Sequence, residues 1–190
     1  MWQTTEFGSS HEGKPSAVLA DGSEPKPVYY DVGSSGSVPS LSEWWIYDGT
    51  LRAPKAAHLR GSCACGWRGE SLYPIDWDEV VDARLDLEVS GPHDDWKQHV
   101  EEVRARSVPL PTGLETLLTQ VEEQLDALTV DTPVAALKCV AILERITQRI
   151  GREAAYGAEA DEVSWETIGQ ALGLDEKTAQ SRLLHYSLRS

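Results

Sequence analysis

The spacing of apolar residues changes character along the chain. Residues 1–40 show no repeating pattern, and seventeen of them are Gly, Ser or Pro. Such a segment buries too little apolar surface to offset its ordering entropy, so it reads as loop or flexible chain. "PVYY" (27–30) is its one short edge strand. From "SEWWIYDG" to "SLYPIDW", short β-type runs are broken by Gly and Pro, which predicts strands near 56–62 and 67–73 with a tight turn between them. The pattern then becomes helical in "GPHDDWKQHVEEVRARS": Trp96, His99, Val100 and Val103 fall at i, i+3, i+4 and i+7 and share an inner face. Pro92, Asp94 and Asp95 suit the first turn of that helix, and Arg104 and Arg106 its last.

"VPLPTG" reads as a linker and a domain boundary. Beyond it, Leu114, Leu117, Leu118, Val121, Leu125 and Leu128 form one helical stripe. Pro133 opens the next helix, whose stripe of Ala136, Cys139, Leu143, Ile146 and Ile150 makes Cys139 a small buried hydrophobe. "GAEADEVS" ends it before two short helices in 164–190. The fold class is therefore α+β. It comprises a flexible segment 1–40, a small β-rich module with one helix over 41–107, and an all-α domain over 108–190 ending in a helix-turn-helix.

Charge sharpens this division. The net charge is −14, yet residues 163–190 carry three acids and three bases while every earlier segment is acidic. An acidic chain repels nucleic acid at long range, and the neutral end removes a local obstacle. No apolar run reaches the ~20 residues that a bilayer crossing needs. The start "MWQTTEFGSSHEGK" has no basic region followed by an apolar stretch. Three cysteines, an odd number, argue against a disulfide framework. Together these predict a soluble, cytoplasmic protein without a membrane partner.

Two of the cysteines sit one residue apart in "RGSCACGWRG". A zinc site needs about four thiolates or imidazoles at the corners of a tetrahedron. A Cys-X-Cys turn presents two thiolates on one side, and Gly66 permits the sharp bend. His99, on the inner face of the helix that must pack on the sheet, is the third ligand. His93 is the candidate fourth, with His58 and Asp95 as alternatives. The set Cys63, Cys65, His93 and His99 would hold a structural Zn²⁺, stapling a module whose core is small. Packed thiols and a redox pair are the competing readings. "CACGWRG" followed by "WKQH" also resembles short Cys-X-Cys-Gly-Trp modules of bacterial proteins, and that resemblance favours the metal.

In "SWETIGQALGLDEKTAQSRLLHYSLRS", Ser164 is placed as an N-cap, Ile168 and Leu172 face inward, Gly173 ends the first helix and Leu174 plugs the turn. Ala179, Leu183 and Tyr186 form the inner face of the second helix, leaving Lys177, Gln180, Ser181 and His185 outward with Arg182 at the margin. Ile168, Leu172, Gly173, Thr178, Ser181, Arg182 and Leu183 resemble region 4 of the extracytoplasmic-function sigma factors. That resemblance implies a second helix entering the major groove of duplex DNA, with Lys177, Gln180, Ser181, Arg182 and His185 toward bases or phosphates. Gly169 stands where the family more often has Ala, Asp175 and Glu176 open the second helix with negative charge, and the basic tail is reduced to His185 and Arg189. No promoter-melting region is recognisable, so the resemblance implies a DNA-reading module and not a sigma factor.

The leading expectation is thus a DNA-binding regulator or accessory factor. The alternative is an acidic interaction adaptor using the same helices on a protein, with the 114–128 stripe available to a homodimer. An enzyme is not expected: Asp76, Asp78, Glu79 and Asp82 read as a solvated acidic turn, because no His or Lys nearby completes a mechanism.

Overall fold

Six residues of the Gly/Ser/Pro-rich start, Gly13–Val18, form strand β1. This is visible in the computed structural model, which describes residues 1–29, 40–78, 80 and 89–188. Two further short strands, β2 (Val28–Tyr29) and β3 (Ser40–Leu41), pair with each other. Strand β4 (His58–Cys63) is antiparallel to β1, with Gly13 opposite Cys63 and Val18 opposite His58. On its other side lies β5 (Tyr73–Pro74), giving the sheet order β1-β4-β5. The expected flexible start therefore contributes an edge strand on one side of β4, while of the expected strand 67–73 only the end joins the other side, in β5, with Arg68 making a single bridge to Ser62. "PVYY" does form a strand at Val28–Tyr29, while residues 30–39 lie outside the described residues.

Large aromatics do the work that aliphatics do in bigger domains. Ala17, Leu59 and Ala56 pack with Trp44 and Tyr47, and half-buried Trp45 and Trp77 close over them. The polar atoms of these rings are matched: the Tyr47 hydroxyl donates to the Lys26 carbonyl at 3.2 Å, and the Trp77 indole to the Ala56 carbonyl at 2.7 Å. Helix α1 (Ser90–Arg106) follows, its Trp96, His99 and Val100 buried as the spacing predicts. Its approach is very close, since a Cβ at Gly13 would lie 2.5 Å from the Trp96 ring.

The chain divides into two units, Met1–Glu102 and Val103–Ser190. The second is helical: α2 (Thr112–Asp131), α3 (Pro133–Ala160), α4 (Trp165–Leu172) and α5 (Glu176–Leu188). Its core is Ala155 of α3 with Ile168, Ala179 and Leu183, backed by Leu174 and Tyr186. Two expectations need correction. No residue of α2 is buried, and on α3 Ala136 is buried, Cys139 and Leu143 are half-buried, and Ile146 and Ile150 are exposed. Leu172 is also exposed, while Leu174 in the turn after it packs against the core instead. Among the described residues, no helix is long and apolar enough to cross a membrane.

Candidate metal centre and helix-turn-helix

The cysteine turn is built by its own backbone. β4 ends at Cys63, whose N–H donates to the Trp67 carbonyl and whose carbonyl accepts from Gly66, each at 3.0 Å. Gly66 takes φ +97, a conformation that strains any side chain. The Ala64 N–H, pointing the other way, donates to the Glu12 carbonyl at 2.8 Å. That bond draws the N-terminal segment against the turn, and with it His11, the last residue of a 3-10 turn over Gly8–His11.

The outcome is a four-residue group: one ligand atom each from His11, Cys63, Cys65 and His99, all within 4.8 Å of one another. His11, Cys63 and His99 are buried and Cys65 is exposed. The Cys63 sulfur lies 3.5 Å from His11 Nδ1, and the Cys65 sulfur 3.3 Å from His99 Nε2. Bond lengths of ~2.3 Å to sulfur and ~2.0 Å to nitrogen give a tetrahedron whose sulfur–nitrogen edges are about 3.5 Å. These two sulfur–nitrogen separations match those edges, and with all four ligand atoms within 4.8 Å of one another the residues could hold a metal ion.

Three of the four expected ligands are thereby brought together, and the fourth is different. His93 stands outside the group, stacked on Trp96 with ring centroids 5.7 Å apart and against Trp2 at 4.8 Å. The reason is helical geometry: Trp96 and His99 share the inner face, whereas His93 falls at the first turn, where its ring meets Trp2. Burial between these rings lowers the His93 pKa, with Lys97 adding to the effect. His58, on β4, and Asp95, on α1, also stand outside the group.

Neighbours fix the ligand rings. Trp67 stacks on His99 at 4.5 Å with the planes 9° apart, and the Trp96 indole donates to the His11 carbonyl at 3.1 Å. The Cys63 thiol donating to Cys65 pulls the Cys65 pKa down to about 3, with His11 and His99 assisting against burial. The same bond, with burial, pushes Cys63 up. All three cysteines are free thiols. Cys65 is thus the sulfur whose surroundings favour the thiolate form that ligates a metal.

In the second unit, Ser164 caps α4 as predicted, its hydroxyl accepting from Thr167 N–H at 3.2 Å. Gly173 at φ +64 ends the helix, and Leu174 N–H donates to the Gly169 carbonyl at 2.7 Å. The absence of a side chain at 169 has a local cause, since a Cβ there would come 2.7 Å from the Leu174 carbonyl oxygen. Asp175 caps α5: its carboxylate accepts from Thr178 N–H at 2.9 Å and from the Thr178 hydroxyl at 2.6 Å. Those bonds hold the Asp175 pKa below its ordinary value. Ala179 and Leu183 are buried, while Lys177, Gln180, Ser181, Arg182 and His185 are all exposed. Leu184 stands among them, 51% exposed.

In the acidic turn, the Asp78 N–H donates to Asp76 Oδ1 at 3.0 Å; Glu79 and Asp82 lie outside the described residues. No protein-family model, curated protein or solved structure matches this chain.

Proposed function

We propose that the protein is a DNA-binding regulator or accessory factor that reads duplex DNA with α5, its N-terminal module being closed by a structural Zn²⁺. The observation that carries the DNA reading is the Asp175 cap. An acid at the groove-facing end of a recognition helix costs affinity through phosphate repulsion; here that carboxylate is turned onto its own helix N-terminus, where the helix dipole favours it. Lys177, Gln180, Ser181 and His185 then share an outward face opposite Ala179 and Leu183. Gln180 and Ser181 have the donors and acceptors to discriminate base edges, Lys177 reaches bases or phosphates, and Arg182 sits at the flank to hold the backbone.

Zinc is the metal that a set of two thiolates and two imidazoles suits best. With four protein ligands the centre has no open position, so it shapes the module and performs no chemistry.

The second reading is a protein-binding adaptor, favoured by Leu184, an apolar side chain in the middle of the polar face. Selection from random duplex DNA with the full-length chain, at two salt concentrations, separates the two. Enrichment of a defined motif whose affinity falls steeply with salt supports DNA reading. Absence of enrichment at low salt overturns it and makes α5 a protein-binding surface.

A further inference from the structure

The apolar stripes of α2 and α3 are covered only where the two helices join. Leu125, Leu128, Cys139 and Leu143 are half-buried and Ala136 is buried. Away from that joint the same stripes continue without cover. On α2, Leu114, Leu117, Leu118 and Val121 are exposed, and on α3 so are Ile142, Ile146 and Ile150. These seven residues are each 39–57% exposed. Together they present on the order of 500 Å² of apolar surface, at the upper end of what one patch of a monomer carries (~300–600 Å²). That is also more than half of the ~800 Å² each partner contributes to a standard interface.

Charge says what fits there. Across Thr112–Asp131, α2 carries five acids and no base. Along α3, Lys138, Arg145, Arg149 and Arg152 stand against Glu144, Glu153 and Glu159, and Arg149 pairs with Glu153 at 3.3 Å. Each chain thus offers a strongly acidic helix and one with a slight excess of bases, both with an uncovered apolar stripe. A surface of that kind is complementary to itself. An isologous contact, in which the same patch is used twice, lays the α2 of one copy along the α3 of the other. It buries both stripes and brings the acidic helix of one copy against the less acidic helix of the other.

We propose that a second copy of this chain covers the α2 and α3 stripes, forming a two-fold, four-helix contact. The inference is independent of the DNA reading and of the metal: it concerns a different surface and needs no nucleic acid. It also predicts that the two copies of α5 are presented together, as a symmetric DNA site requires.

The test is the mass of the full-length chain by light scattering over a range of concentrations. The wild type is expected at twice the 20.9 kDa of one chain. The double variant Leu117→Glu, Ile146→Glu is expected at 20.9 kDa, with its circular dichroism unchanged because both residues are exposed in the single chain. A wild type that stays monomeric up to its solubility limit overturns the proposal, leaving the stripes to another protein or to another part of the chain. A double variant that remains dimeric overturns this surface as the interface. If the variant loses helicity, hydrogen exchange of the wild type decides: protection over 114–121 must fall on dilution, and dilution-independent protection overturns the proposal.

Discussion

The Trp96 indole nitrogen donates to the His11 carbonyl oxygen at 3.1 Å, joining residues 85 positions apart. One turn of α1 further on, His99 supplies a ligand atom to the same group as the His11 imidazole. A single helical face therefore does two things: its Trp fixes the backbone of one candidate ligand, and its His is another. Replacing Trp96 with Phe keeps most of the ring and deletes the donor. Zinc affinity is expected to fall by ~10–100-fold, as when a second-layer partner is lost. Competition against a chromophoric chelator measures this, and unchanged affinity would show the bond to be incidental.

Gly13 makes that approach possible. A Cβ there would lie 2.5 Å from the Trp96 ring, with no flexible side-chain tip to yield. Gly13→Ala should destabilise the N-terminal module by ~1–3 kcal/mol and weaken metal binding with it. Chemical denaturation followed by tryptophan emission reads the first effect. It is informative because six of the seven tryptophans, all but Trp165, lie in that unit.

On α5, replacing Arg182 with Ala should weaken binding to all DNA sequences alike and reduce the salt slope by ~1. Replacing Gln180 with Ala should instead relax discrimination at one base position, at ~1–3 kcal/mol. Titrations of selected and scrambled duplexes at several salt concentrations separate the two. Identical behaviour of the two variants would remove the division of labour between them.

The Asp175 cap gives a pH-dependent signature. Its carboxyl pKa is lowered in the folded protein by hydrogen bonds from Thr178. Its contribution is therefore full above the unfolded carboxylate pKa of ~3.9 and is lost as pH falls through the lower folded value. Asp175→Ala should lower the melting temperature of the helical unit at neutral pH, and Asp175→Asn, which keeps a capping oxygen, should lower it less. At pH values below both pKa values the wild-type advantage over Asp175→Asn should vanish. Thermal melts of the three proteins across acid pH check this.

The helical half was the more legible in the sequence. Ser164, Gly173, Leu174, Ala179 and Leu183 stand where their spacing put them, because capping and 3.6-residue periodicity are local. Leu172 was expected to face inward and is exposed, and no residue of the α2 stripe is buried, since periodicity reports which face is apolar and not what covers it. In the first unit, Cys63, Cys65 and His99 came from turn chemistry and one helical face. His11 was missed because its neighbours, "GSSHEG", have the composition of a loop. Two non-local contacts place it: the pairing of β1 with β4, and the bond from Ala64 N–H to the Glu12 carbonyl. A histidine two residues before a strand-forming glycine was the one local hint.

His11, and not His93, stands in the candidate metal group. Native mass spectrometry of protein purified without chelator, comparing the wild type with His11→Ala and His93→Ala, tests it directly. The account predicts one zinc per chain in the wild type and in His93→Ala, and loss of zinc in His11→Ala. A wild type without metal, or a zinc retained by His11→Ala and lost from His93→Ala, would contradict it.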